Sequence, residues 1–221
     1  MDKQYEDLAR AAYENCKDLL VEANLLFDNQ AYPRSYSLSI LAVEEFAKSI
    51  LCKVYAAGII TDKRFVKDLQ NHRVKLVHFI RIAAATLEMS ERKAELNKLI
   101  EEEEEKKRKS QKRRPMMEML ATILNDPVKL ERISRVFSNA NSLKKDGFYV
   151  GLVGGKIIKP SEKISEERAK EALDILNPSI YNNEGIFDLS DKQVRGSMLI
   201  LDPELLTGSI WPASLGKRQR G

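Results

Sequence analysis

The chain has 221 residues, of which 43% are hydrophobic and 32% charged, with 10 Gly, 7 Pro and a formal net charge of +4. That length suffices for one sizeable core. Few Gly and Pro beside so much charge exclude collagen-like, disulfide-scaffold and disordered classes and favour long helices. Cys16 and Cys52 form no CxxC or Cys/His cluster, so no structural zinc is expected and a reducing, cytoplasmic location is. No apolar run approaches the ~20 residues that span a bilayer, and the acidic, polar stretch from Met1 to Asp7 is unlike a signal peptide.

The first predicted helix runs from about Asp2 to Asp28. Tyr5, Leu8, Ala12, Cys16, Leu19, Ala23 and Leu26 recur at steps of three and four and form one face. Asn29 to Pro33 breaks it, and Pro33 suits the first turn of the next helix. That helix, Arg34 to about Ala57, has the seam Tyr36, Ile40, Val43, Ala47, Ile50 and Val54, with Gly58 as terminator. A third helix starts at the Thr61-Asp62 cap and reads Phe65, Leu69, His72, Leu76, Phe79 and Ala83, a histidine standing where an apolar residue is expected.

From Ser90 the chain becomes almost wholly charged. Glu102–Lys106, Glu103–Lys107, Glu104–Arg108 and Glu105–Lys109 are i, i+4 pairs in the favourable order, so residues from about 90 to 114 read as a solvated helical extension or loop. A short helix is expected from Met116 to Leu124, then one from about Val128 to Lys145 with the seam Leu130, Ile133, Phe137, Ala140 and Lys144, stopped by Asp146-Gly147. Residues 148–158 form a short β-like segment turning at Gly154-Gly155. A last helix spans about Ser161 to Leu176, capped by Ser165. Beyond Asn177-Pro178 the pattern is irregular, and the basic end is expected to be disordered.

The charge is local. Residues 101–114 contribute +2 and the last seven residues +3, which leaves −1 for the rest of the chain. Basicity alone therefore does not point to nucleic acid, and no DNA partner is expected. No P-loop, GxGxxG, HExxH, nucleophile elbow or paired CxxC occurs.

Several polar groups lie near apolar seams. Arg34, Ser37, Leu41, Glu44, Glu45 and Lys48 share a face of the second helix. Paired carboxylates there are suited to acid–base work or a metal, or else to a simple intrahelical ion pair with Lys48. His72 with Lys75 one turn on fits a phosphate contact or proton donation, or a hydrogen-bonded core histidine. His78 sits at another angle and reads as surface or packing. Lys144 and Lys145 end a helix, where cations interact well with its dipole. Tyr149 is either a group reaching back toward that helix end or an aromatic with a wet tip.

Three stretches resemble one known family. Ser35 to Lys48, reading SYSLSILAVEEFAK, resembles the SLsiLAxEExaK helix of the AbiV family of abortive-infection proteins. Asn71-His72-Arg73-Val74-Lys75-Leu76 is similar to its H-x-x-K-L element. Leu143 to Val150 is similar to its K-x-x-G-[LF]-Y-V element. These occur in order across about residues 5–153.

The resemblance implies a mainly α, HEPN-like helical bundle over residues 1–153, with residues 154–221 as a C-terminal extension. It also implies a phage-defence function directed at RNA or the translation machinery, a homodimer, an RNA or a phage or host protein as partner, and no cofactor or metal. Many HEPN proteins are metal-independent ribonucleases with an R-x4-6-H motif near the start of a late helix. The corresponding region here carries Lys144, Lys145 and Tyr149 without a histidine, whereas Arg73-x4-His78 matches that spacing on an earlier helix. The implied site joins His72, Lys75, Lys144 and Tyr149 as catalytic candidates with a polar network of Arg34, Glu44, Glu45, Lys48 and Lys145. The alternative is a non-enzymatic binding module in which the same network is structural.

Overall fold

A computed structural model describes residues 3–108 and 126–202 of the chain. It is mainly α, as expected. In chain order the elements are α1 (Lys3–Asp28), α2 (Tyr32–Ala56), α3 (Asp62–Gln70), α4 (His72–Glu91) and α5 (Lys93–Arg108). After the undescribed segment come α6 (Pro127–Val136), α7 (Ala140–Asp146), strands β1 (Gly151–Val153) and β2 (Lys156–Ile158), α8 (Pro160–Lys163) and α9 (Glu166–Tyr181). A 3-10 turn (Glu184–Asp188) and α10 (Asp191–Leu201) follow. The predicted helix at 116–124 and the basic end lie outside the described residues.

Helix α2 is the centre of the bundle and packs against α1, α3, α4, α7, α8, α9 and α10. Its sequence explains why. Ser35, Ser37, Ser39, Ala42, Ala47 and Ser49 are small and buried, so neighbours approach from several sides. Their hydroxyls are satisfied internally: Ser39 and Ser49 donate to the Ser35 and Phe46 carbonyls at 2.9 and 2.6 Å, and Ser35 donates across to Ala23 O at 2.8 Å. The core continues through offset aromatic pairs, Tyr13–Phe46 at 6.4 Å, Phe46–Phe79 at 6.0 Å and Phe79–Phe137 at 5.4 Å between ring centres. Among the described residues no helix is long and apolar enough to cross a membrane.

The structure corrects the sequence reading in three places. The third predicted helix is two, because Asn71 caps a new one: its side-chain oxygen accepts from the Arg73 and Val74 amides. His72 is therefore the first residue of α4, half-exposed, and does not sit on a buried seam. The helix expected at 128–145 is broken at Asn139, which adopts a left-handed φ of 59° and separates α6 from α7. Past residue 178, where the sequence looks irregular, α10 forms on a Ser190–Gln193 capping box and buries Val194 and Met198.

The short β-like segment is an antiparallel hairpin with Leu152 opposite Ile157 and Val153 opposite Lys156. Gly154 and Gly155 turn it at φ values of 55° and 79°, which side chains with a Cβ rarely adopt.

Candidate active site

Three helices meet at Glu44. It lies in the middle of α2 with 8% of its surface exposed, so its charge must be compensated by neighbours. On one side the Nδ1–H of His72, at the start of α4, donates to Glu44 Oε2 at 2.8 Å. On the other, Lys144 Nζ, in the last turn of α7, donates to Glu44 Oε1 at 2.5 Å. The carboxylate thus spans residues 28 and 100 positions away in sequence.

The three partners differ in access. The Lys144 and Glu44 side chains are 14% and 10% exposed, whereas that of His72 is 50% exposed. Because a carboxylate accepts only, it fixes the Nδ1–H tautomer of a neutral imidazole and leaves Nε2 as a bare acceptor. A buried carboxylate that orients a histidine from behind is a common way to present a general base.

Lys75, one turn along α4, is buried and makes no hydrogen bond or ion pair among the described residues. Burial pushes its ammonium pKa below the ordinary lysine value, opposed by the charges of Glu44 and Glu45 and reinforced by Lys48 and Lys144. Glu45 and Lys48 close a separate pair at 2.6 Å within one turn of α2. The intrahelical pair is therefore Glu45–Lys48, while Glu44 turns outward to α4 and α7. The cluster holds two carboxylates, three lysines and a histidine, so its balance favours an anion.

Gly147, which ends α7, sets this geometry. A Cβ there would collide with Ser37 Oγ and the Pro33 carbonyl oxygen at the start of α2, with the Pro33 carbonyl carbon 3.1 Å away. Only a glycine lets α7 come this close, and Lys144 lies one turn before it.

Other candidates lie elsewhere. Arg34 and Lys145 are exposed and make no bond to Glu44. Tyr149 is 72% exposed on the approach to β1, its ring beside Phe148 at 6.5 Å, and its hydroxyl makes no hydrogen bond among the described residues.

His78 is buried at 1% exposure, and its Nδ1 meets Asp202, at the end of α10, at 2.5 Å. Arg81 reaches the other Asp202 oxygen at 3.5 Å. His78 thus shares no surface with the exposed Arg73. A histidine inside the apolar run Val74 to Ala85 is the signal that could have marked this buried network. Among the described residues no three His, Cys, Asp or Glu side chains are placed to hold a metal ion.

Comparison with known proteins bears on the whole bundle. The HEPN_AbiV family model, described as AbiV, matches residues 4–179, from α1 through most of α9. No curated protein and no solved structure matches the chain.

Proposed function

The chain belongs to the AbiV family of HEPN proteins, and on that premise we propose that it acts in phage defence by cleaving RNA without a metal, with His72 as the proton-transfer group. The observation that carries this reading is the Glu44–His72 pair at 2.8 Å, with the ring half-exposed. Glu44 orients the imidazole, and Nε2 takes the proton of a ribose 2′-hydroxyl as that oxygen attacks the adjacent phosphorus. The leaving 5′-oxygen departs with a proton from solvent, and a 2′,3′-cyclic phosphate remains. Lys75, a cation without a protein partner, stabilises the charge that develops on the phosphate oxygens. Lys144 shares Glu44 with His72 and keeps the carboxylate charged and fixed.

The test incubates the full chain with structured RNA in EDTA and analyses the ends formed. Cyclic phosphate ends, lost in His72→Ala and strongly reduced in Lys75→Met, support the reading. Absence of cleavage, or cleavage unaffected by His72→Ala, overturns it.

A second reading, a binding module with a structural polar network, is favoured by the fact that both Glu44 oxygens already have partners. It predicts that Glu44→Gln and His72→Ala lower the melting temperature and change no activity.

A further inference from the structure

From Phe148 to Ile157 the chain places large apolar side chains in solvent: Phe148, Tyr149, Val150, Leu152, Val153 and Ile157, between 42% and 72% exposed. The hairpin's pleat gives this surface direction. Leu152 and Ile157 are directly opposite in the ladder and share one face. Gly151 and Ile158 lie on the other face, where a Cβ at Gly151 would stand 3.8 Å from Lys163 Nζ of α8. The Leu152–Ile157 face therefore points away from the bundle. An isolated two-stranded ribbon is marginal in water and needs cover.

We infer that this hairpin face is the surface through which two copies of the chain associate. Two observations select a second copy as the occupant. With ~150–200 Å² for a fully exposed large side chain, the six exposures amount to on the order of 600 Å² of apolar surface. That sits at the top of the range for the largest patch on a monomer. It also meets the apolar share, about two-thirds of ~800 Å² per partner, that a homodimer interface of standard size requires. The second observation is charge. Between Gly147 and Ile158 the only ionisable side chain besides Tyr149 is Lys156, so the surface meets its own copy with little like-charge repulsion. A two-fold axis would set each Leu152–Ile157 pair against its mate, an isologous contact that closes at two subunits. This inference stands independently of RNA cleavage, since it uses no residue of the Glu44 cluster.

Sedimentation velocity on the full chain over a broad concentration series tests it. The parent chain is expected as a dimer, and Leu152→Glu and Ile157→Glu each as monomers with an unchanged far-UV spectrum. Both replaced side chains lie at least 70% exposed, so neither change disturbs the core. Val21→Glu, at an exposed apolar site on α1, should remain dimeric. A monomeric parent, whatever else covers the hairpin, overturns the inference. So does a dimer that survives both hairpin substitutions, or one that Val21→Glu disrupts equally.

Discussion

Replacing Gly147 with alanine sets two effects of opposite sign against each other. Gly147 has φ −72° and ψ −18°, an ordinary right-handed conformation, so alanine meets no backbone strain. By restricting the unfolded chain it should stabilise by about 0.4–1 kcal/mol. Against this, the added Cβ overlaps Ser37 Oγ and the Pro33 carbonyl oxygen. Ser37 is itself held, its hydroxyl donating to Pro33 O at 2.9 Å, and a carbonyl in the first turn of α2 has no rotamer into which to escape. Overpacking of this kind costs about 1–3 kcal/mol, so the collision wins. Gly147→Ala should lower stability by roughly 1–2 kcal/mol, a fall of several degrees in Tm for a chain of this size. Urea unfolding followed by circular dichroism, with an unchanged m-value, measures it. Adding Ser37→Ala removes one of the two obstructing atoms and should recover part of the loss, the Pro33 carbonyl retaining the rest. A Gly147→Ala protein as stable as the parent would refute the claim that close approach of α7 to α2 requires glycine.

Asp202→Ala leaves His78 and Arg81 facing each other in the interior without their carboxylate, and removing one partner of a buried pair typically costs about 3–5 kcal/mol; a loss under ~1 kcal/mol by urea unfolding would show that the pair does not fasten α10. Lys75→Met should raise stability near pH 7. Its folded pKa lies below the unfolded value of 10.5, so between the two the unfolded chain binds more protons, parent stability rises with pH, and the advantage of methionine shrinks toward pH 10.5. A gap that widens over that range contradicts burial as the dominant influence. Burial pushes the thiols of Cys16 and Cys52 up, that of Cys52 to about 11, so neither should react with iodoacetamide at pH 8 until the protein is unfolded. Rapid native labelling of either one, read by mass spectrometry, is the contrary result.

Periodicity reads what repeats and misses what interrupts. The α1 and α2 seams are legible because their apolar residues recur over seven turns. The spacing from Phe65 through Leu69 to His72 continues across Asn71, so the pattern alone joins two helices, whereas the preference of asparagine for the N-cap position contains the break. Asn139 hides in the same way: a left-handed residue between two amphipathic segments leaves their phase nearly intact. Helix α10 escapes notice because Gly196 and Ser197 dilute a face of only Val194, Met198 and Leu201. The family resemblance selects Glu44, His72 and Lys144 together, but no local rule assigns Glu44 a partner on another helix. The nearest cation by spacing, Lys48, is taken by Glu45. Tyr149 shows the converse: its place in a motif says nothing of which way the chain turns after Gly147, and the chain turns it into solvent.

The asymmetry around Glu44 distinguishes an active site from a scaffold. As a stabilising device a buried ion pair is a poor one, since apolar residues of similar volume often do as well or better. Lys144, nearly enclosed, fits that structural role and needs no further explanation. His72 does not fit it. An imidazole half in water gains little from burial, and a leucine would serve the bundle as well at the start of α4. What the histidine adds is an unprotonated Nε2 facing solvent beside a buried lysine without a partner. The two readings therefore separate at His72, where an isosteric change acts on chemistry more than on packing. His72→Gln keeps a side-chain amide able to donate to Glu44 and should move the urea midpoint little, while removing the titratable nitrogen on which RNA cleavage depends. Cleavage at the parental rate by a normally folded His72→Gln protein would leave the polar network as architecture alone.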